Sequence, residues 1–264
     1  VEQTDFVRGH VVTLEGPIPL HTPLAFEKMR QAGCLASQVL DYVTPFVQPG
    51  VTTDRLNELC HAFICDHGAI PAPLNYRGFP KSICTSINHV VCHGIPDEQM
   101  LKEGDIVNID VTVILGGWYG DTSRMFPVGR ISPEAEKLIA ITQQSLSDAI
   151  NHVKPGVHLG DLGAIIQKIA HEAGLSVVAD YCGHGIGQKF HCAPSVLHFG
   201  ERGEGIKLEP GMFFTIEPML NRGTAETHVL KDGWTVVTKD KGLSAQFEHT
   251  IGVTEAGYEI FTNS

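Results

Sequence analysis

The chain has no run of residues approaching the roughly 18 apolar positions of a bilayer span, so no membrane segment is expected. Basic residues are scarce: 19 Lys and Arg stand against 30 Asp and Glu, a formal charge of −11. Phosphate binding wants a basic surface, so nucleic acid is not expected as a direct partner, and no polybasic patch offers itself to a membrane. No Cys-x-x-Cys pair occurs among the seven cysteines, an odd number. That argues against a disulfide framework and for reduced thiols in a cytoplasmic setting. It also leaves a zinc knuckle from Cys92-His93 and His191-Cys192 without the paired spacing of structural zinc sites. The opening segment VEQTDFVRGH lacks the charged and apolar regions of a signal peptide, and Val at position 1 suggests a trimmed start.

What is present is a set of acids in apolar surroundings. Asp110, Asp121, Glu217 and Glu248 lie in NIDVTV, YGDTS, FTIEPM and QFEHTI, and His184 lies in CGHGIG, all reading as strands or strand ends. Buried acids are costly unless something positive neutralises them, and few Lys or Arg lie nearby to do so. A pair of divalent metals would, and an oxygen-rich set with one imidazole suits Mn, Co, Fe or Zn better than a structural thiolate zinc. The residues alone therefore read as a two-metal hydrolase.

At 264 residues and 42% hydrophobic content, the chain can bury a large core as one domain or two fused halves. Helix and strand patterns mix throughout, predicting an α+β or α/β architecture. Residues 1–24, rich in turn residues through GPIPLHTP, read as an extended arm. Thr22-Pro23 opens a first helix, and Thr53 is expected to cap a second that Gly68 closes. Two strands around Gly116-Gly117 then form a hairpin carrying Asp110 and Asp121, with a bulge expected near Gly120. The pattern restarts at Ser132-Pro133. VQPGVTTDRL at position 47 and VKPGVHLGDL at position 153 share Val, Pro, Gly, Val and Leu at an offset of 106, which also pairs Gly68 with Gly174. Two similar halves follow from this, with Asp110 and Asp121 in one and His184, Glu217 and Glu248 in the other. His93 and His191 are candidates for contact with substrate or with the ligands.

Six segments, SINHVVCHGIP, GDIVNIDVTV, GWYGDTSRMF, YCGHGIGQKFH, GMFFTIEPM and LSAQFEHTI, resemble in order and spacing those of the type I methionine aminopeptidases. The resemblance runs from about residue 25 to the end. It implies the α+β pita-bread (creatinase/aminopeptidase-like) fold, here one catalytic domain over 25–264 with pseudo-symmetric halves of about 25–130 and 131–264. It implies two divalent metal ions (Co, Mn, Fe, Zn or Ni) held by Asp110, Asp121, His184, Glu217 and Glu248. Asp110 would chelate one metal, Asp121 and Glu248 would bridge, and His184 and Glu217 would hold the other. The implied reaction removes the N-terminal methionine from proteins and nascent chains whose second residue is small, hydroxide between the metals attacking the scissile carbonyl. Glu217 would carry the proton, His191 would steady the oxyanion, and His93 would bond the scissile amide region. Tyr76, Phe79, Cys84, Phe190 and Trp234 match positions that line the methionine pocket. Only 31 residues separate Glu217 from Glu248, leaving no room for the type II helical insertion, and no Cys-rich zinc module precedes the domain. The chain thus looks like a bacterial or organellar form, a cytoplasmic monomer making transient ribosome contact. The alternative is another pita-bread peptidase, prolidase- or aminopeptidase P-like. A non-enzymatic binding protein of this fold is disfavoured because all five ligand positions are intact.

Overall fold

The computed structural model describes residues 5–264. Where the sequence suggests an extended arm, residues 7–21 form a hairpin, β1 (Val7–Thr13) paired antiparallel with β2 (Gly16–His21). Leu14 and Glu15 make the turn, Gly16 opens β2 at φ +124, and Ile18 and Leu20 on β2 face the core. Residues 1–4 of the expected arm lie outside the described residues.

α1 (Pro23–Val43) follows its N-cap Thr22, with Pro23 in the position where a missing N–H costs nothing. α2 (Thr53–Asp66) is capped by Thr52, not by Thr53 as the sequence suggested. Of the two threonines, Thr52 has the extended backbone a cap requires, and its hydroxyl accepts from Arg55 N at 3.1 Å. Thr53 turns inward instead and donates to the Asp97 carbonyl. Then come β3 (Ile70–Pro71), β4 (Cys84–Ile87), β5 (Val90–Cys92), β6 (Ile106–Leu115) and β7 (Trp118–Pro127).

The order of elements begins again with α3 (Pro133–Asn151), capped by the Ser132 hydroxyl, and α4 (Leu159–Glu172). Short strands follow: β8 (Ser176–Val177), β9 (Gly183–Gly185), β10 (Cys192–Val196), β11 (Phe213–Ile216) and β12 (Met219–Asn221). β13 (Thr227–Val229), β14 (Val236–Thr238), β15 (Ser244–Gln246), β16 (His249–Val253) and β17 (Tyr258–Ile260) complete the chain. β6 pairs with β3, β4 and β7; the largest second-half sheet runs β10-β9-β11-β16-β17, all antiparallel. No described helix is long and apolar enough to cross a membrane.

Each helix pair covers its own core. Leu35, Val39, Leu40, Leu56 and Ile64 of α1 and α2 pack on Val107, Ile109, Val111 and Val113 of β6. Leu138, Leu146, Leu162 and Ile166 of α3 and α4 pack with Phe214, Ile216, Leu220 and Ile251. Because strand side chains alternate, burying the odd-numbered residues of β6 against the helices turns Asn108, Asp110 and Thr112 to the opposite face. α1 approaches β7 closely at Gly120, where an added Cβ would stand 2.5 Å from the backbone carbon and oxygen of Ala32.

Candidate metal centre

The β6–β7 hairpin is regular from Leu115↔Trp118 to Ile106↔Pro127, so the bulge expected near Gly120 is absent. Gly116 and Gly117, at φ +57 and +84, close a two-residue turn that needs no extra residue to match the twist of the strands. Asp121 therefore lies opposite Thr112, and Asp110 opposite Ser123. The two aspartates are diagonal neighbours on one face. Thr112 Oγ1 donates to Asp121 Oδ1 at 2.7 Å.

The second half brings three more groups to this face. His184 stands on β9 between Gly183 and Gly185, whose added Cβ atoms would collide with the carbonyls of Thr215 and Ala193. Only glycine allows the three strands to pack this closely around the imidazole. His184 Nδ1 donates to the Gly185 carbonyl at 3.0 Å, which turns Nε2 toward the carboxylates, 3.4 Å from both Asp121 Oδ2 and Glu217 Oε1. Glu217 follows β11. Its Oε1 accepts from Thr215 Oγ1 at 2.9 Å and its Oε2 from Gln246 Nε2 at 3.1 Å. Glu248 is held by a backbone bridge to Ser123 on β7, reinforced by Thr122 Oγ1 donating to the Glu248 carbonyl at 2.7 Å. Thr250 Oγ1 donates to the Asp121 carbonyl at the same distance, so one row of bonds fixes acids of both halves.

These groups are buried without charge balance. Asp121 is 3% exposed and Glu248 1%, and among the described residues both Glu248 carboxylate oxygens lack a hydrogen-bond partner. Burial, then the charges of neighbouring carboxylates, pushes Asp110 and Glu248 well above the ordinary carboxylate range. Burial lifts Glu217 to about 7 against the pull of His184, with Asp121 adding to the rise. For His184 burial acts downward, but the hydrogen bond to Asp121 and the charge of Glu217 raise it on balance. Among the described residues no Lys or Arg pairs with these acids, whose ion-pair contacts are to His184. An orphaned carboxylate, an imidazole nitrogen able to give up its proton and further carboxylates are a donor set that a divalent cation fits. Donor atoms of Asp121, His184 and Glu248 all lie within 4.8 Å of one another.

All twelve sequence-derived residues line one cavity of about 350 Å³: the five above with His93, His191, Tyr76, Phe79, Cys84, Phe190 and Trp234. His191 stacks on Phe190, with ring centroids 4.1 Å apart, and its Nδ1 lies 2.9 Å from the Tyr76 hydroxyl. Burial, helped by His184, brings His191 down to about 3, so it stands neutral. His93 has a positive φ of 57, rare for a residue with a side chain, and faces the edges of Trp234 and Tyr181. Phe79 meets Trp234 edge-on at 5.2 Å, making an apolar wall beside Cys84.

Sequence reading missed Thr112, Thr215 and Gln246, although each stands two positions from a candidate ligand. Period-two alternation, which puts such residues on one strand face, could have found them. It also missed Tyr181 and Met219, which line the cavity, and His198. His198 is fully buried, its Nε2 accepting from the Glu217 backbone N–H at 3.0 Å, and burial pushes its imidazole down to about 3. Nothing in the apolar stretch SVLHF signals that contact.

Comparison with known proteins agrees with this architecture. Residues 27–255 match the sequence profile of metallopeptidase family M24. The chain is 60% identical over 248 residues to methionine aminopeptidase of Rickettsia prowazekii, covering 94% of this chain and 96% of that one. The crystal structure of the Rickettsia prowazekii enzyme superposes with a TM-score of 0.93 over 93% of this chain and 100% of its own. An Xaa-Pro dipeptidase from Bacillus anthracis, 22% identical, gives a TM-score of 0.73 over 92% of this chain and 61% of its own, a likeness of fold alone. The fold is the α+β pita-bread fold, and the chain belongs to metallopeptidase family M24, among the methionine aminopeptidases.

Proposed function

We propose that this chain hydrolyses the N-terminal Met–X bond of newly made proteins whose second residue is small, using two divalent cations. The supporting observation is the Glu248 carboxylate, buried with both oxygens unpartnered among the described residues, beside the His184 imidazole and three further acids. Asp110, Asp121 and Glu248 would hold one cation and Asp121, Glu248, His184 and Glu217 the other, the two bridging acids being shared. When bound, such a pair supplies Lewis acidity and lowers the pKa of water from 15.7 toward about 7.

The protein's own groups do the rest. Glu217 takes a proton from the attacking water and returns it to the departing amine, its carboxylate held in place by Thr215 and Gln246. His191, neutral and anchored by Tyr76 and Phe190, donates to the oxygen that gains charge. His93 orients the scissile amide. Phe79, Cys84, Phe190, Trp234 and Tyr76 enclose the methionine side chain, whose thioether packs well on aromatic edges. Residues 25–130 and 131–264 are the two halves of one catalytic domain. The setting is cytoplasmic, the working form a monomer in transient contact with the ribosome, and the cations are drawn from Co, Mn, Fe, Zn or Ni as availability dictates.

The test is kcat/KM across Met-X-Ser tripeptides, repeated with Leu first. Met-Ala-Ser should be cut, Met-Lys-Ser largely spared, and Leu-Ala-Ser cut slowly, since one misplaced methyl in an apolar pocket costs about 1–3 kcal/mol. Equal rates for Met-Ala-Ser and Met-Lys-Ser, or a preference for Xaa-Pro peptides, would overturn the assignment. Activity lost on chelation and restored ion by ion identifies the metal.

A further inference from the structure

His198 lies just past β10, outside the cavity, with its side chain fully buried. Its Nε2 accepts the Glu217 backbone N–H at 3.0 Å. Only a ring nitrogen bearing a lone pair can accept, so the ring proton sits on Nδ1. That Nδ1 is buried with no hydrogen-bond partner among the described residues. A buried donor left unmade is costly, and an apolar residue of similar volume would avoid the cost. The cost is matched to a need at Glu217. β11 ends at Ile216, so the Glu217 N–H has no ladder partner, and Pro218 beyond it offers no N–H at all. The other polar atoms of Glu217 are already gripped: Oε1 by Thr215, and Oε2 and the carbonyl by Gln246.

We propose that His198 is a positioning residue for Glu217: its Nε2 lone pair locks the peptide that carries Glu217 and so aims the carboxylate at the metal centre. This rests on reading Glu217 as a metal ligand. The unpaired Nδ1–H is the consequence of holding Nε2 free to accept. An imidazole serves here because it combines a rigid ring that fills the buried space with an acceptor at its far edge.

Two variants of the full chain test this. His198→Phe keeps ring bulk and removes the acceptor; His198→Gln keeps an acceptor near the Nε2 position. Mn(II) titration of metal-free protein by calorimetry is read beside kcat and KM on Met-Ala-Ser. His198→Phe should bind Mn(II) about 10–100-fold more weakly, the scale for groups that orient metal ligands, and lose kcat with KM little changed. His198→Gln should recover most of both. A purely structural role would lower Tm while leaving affinity and kcat of the folded protein unchanged. Wild-type Mn(II) affinity and kcat in folded His198→Phe, or no recovery in His198→Gln, overturns the inference. If His198→Phe does not fold, the imidazole tautomer in the wild type, read by nitrogen-15 NMR, decides: an Nε2–H form overturns it and an Nδ1–H form supports it. A wild type that binds no Mn(II) would instead remove the two-metal reading, a distinguishable failure.

Discussion

Burial, and then the charges of neighbouring acids, raises both Glu248 and Asp110 above the ordinary carboxylate range. Glu248→Gln or Asp110→Asn should therefore lose cation and activity together. The metal-free variants should melt no lower than metal-free wild type, since one repelling charge has gone. Metal analysis, tripeptide kinetics and calorimetry check this; two tightly bound metals with near-normal turnover in either variant would refute it. His191→Ala should keep its metal yet drop kcat roughly 10²-fold or more, as expected for a lost oxyanion donor. If only KM rises, His191 binds substrate and does not act on the transition state. His21, which does not line the cavity, is one of several buried histidines that contribute to acid stability. Its ring stacks on Phe213 at 3.9 Å, and burial, partly offset by its bond to the Gly211 carbonyl, pushes it down to about 4. The folded pKa lies below the ordinary 6.5, so protons favour the unfolded chain. This histidine's contribution is complete above pH 6.5 and fades as pH falls toward 4, by about 2–3 kcal/mol. His21→Phe should flatten the stability curve in that window, and an unchanged slope in urea titrations at pH 7 and 5 would show that other groups control it.

Gly120 carries the packing of α1 on β7. Gly120→Ala would place a methyl 2.5 Å from the Ala32 backbone, and helix or strand must shift. A loss of about 1–3 kcal/mol is expected, the range for overpacking. Because Asp121 is the next residue, Mn(II) affinity should fall with it; a drop in Tm with unaltered affinity would mean the strain relaxes through α1 alone. How far elements could be read from the sequence follows from how local their causes are. Thr22-Pro23 and Ser132-Pro133 start helices through chemistry within one turn, and both were legible. Asp in the strand NIDVTV and Glu before Pro218 were legible as acids facing the cavity because burial there has no local remedy. The choice between Thr52 and Thr53 depends on which one meets Asp97, 44 residues away, and was not. The hairpin at residues 7–21 depends on a core that accepts Ile18 and Leu20. His198 was hidden for the same reason, its partner being 19 residues off on another strand.

Cations at this centre would tie the halves, since Asp110 and Asp121 come from one and His184, Glu217 and Glu248 from the other. Binding at a hundredfold excess over Kd adds about 2.7 kcal/mol per site to the folded state. Tm should rise steadily with Mn(II) concentration and fall on chelation; a Tm indifferent to Mn(II) would mean the ion does not bind the folded chain in preference to the unfolded one. The row of bonds from Thr122 and Ser123 to Glu248 spans 126 residues of sequence between Thr122 and Glu248. Contacts so distant along the chain form slowly, because the loop they close must be ordered first. The centre is thus a clock for the end of folding. In refolding from denaturant, helical circular dichroism should return before Mn(II) binding and turnover, and those two should appear together. A chain halted before residue 248 would have both helix pairs but lack the one acid that closes the centre from the far end of the sequence.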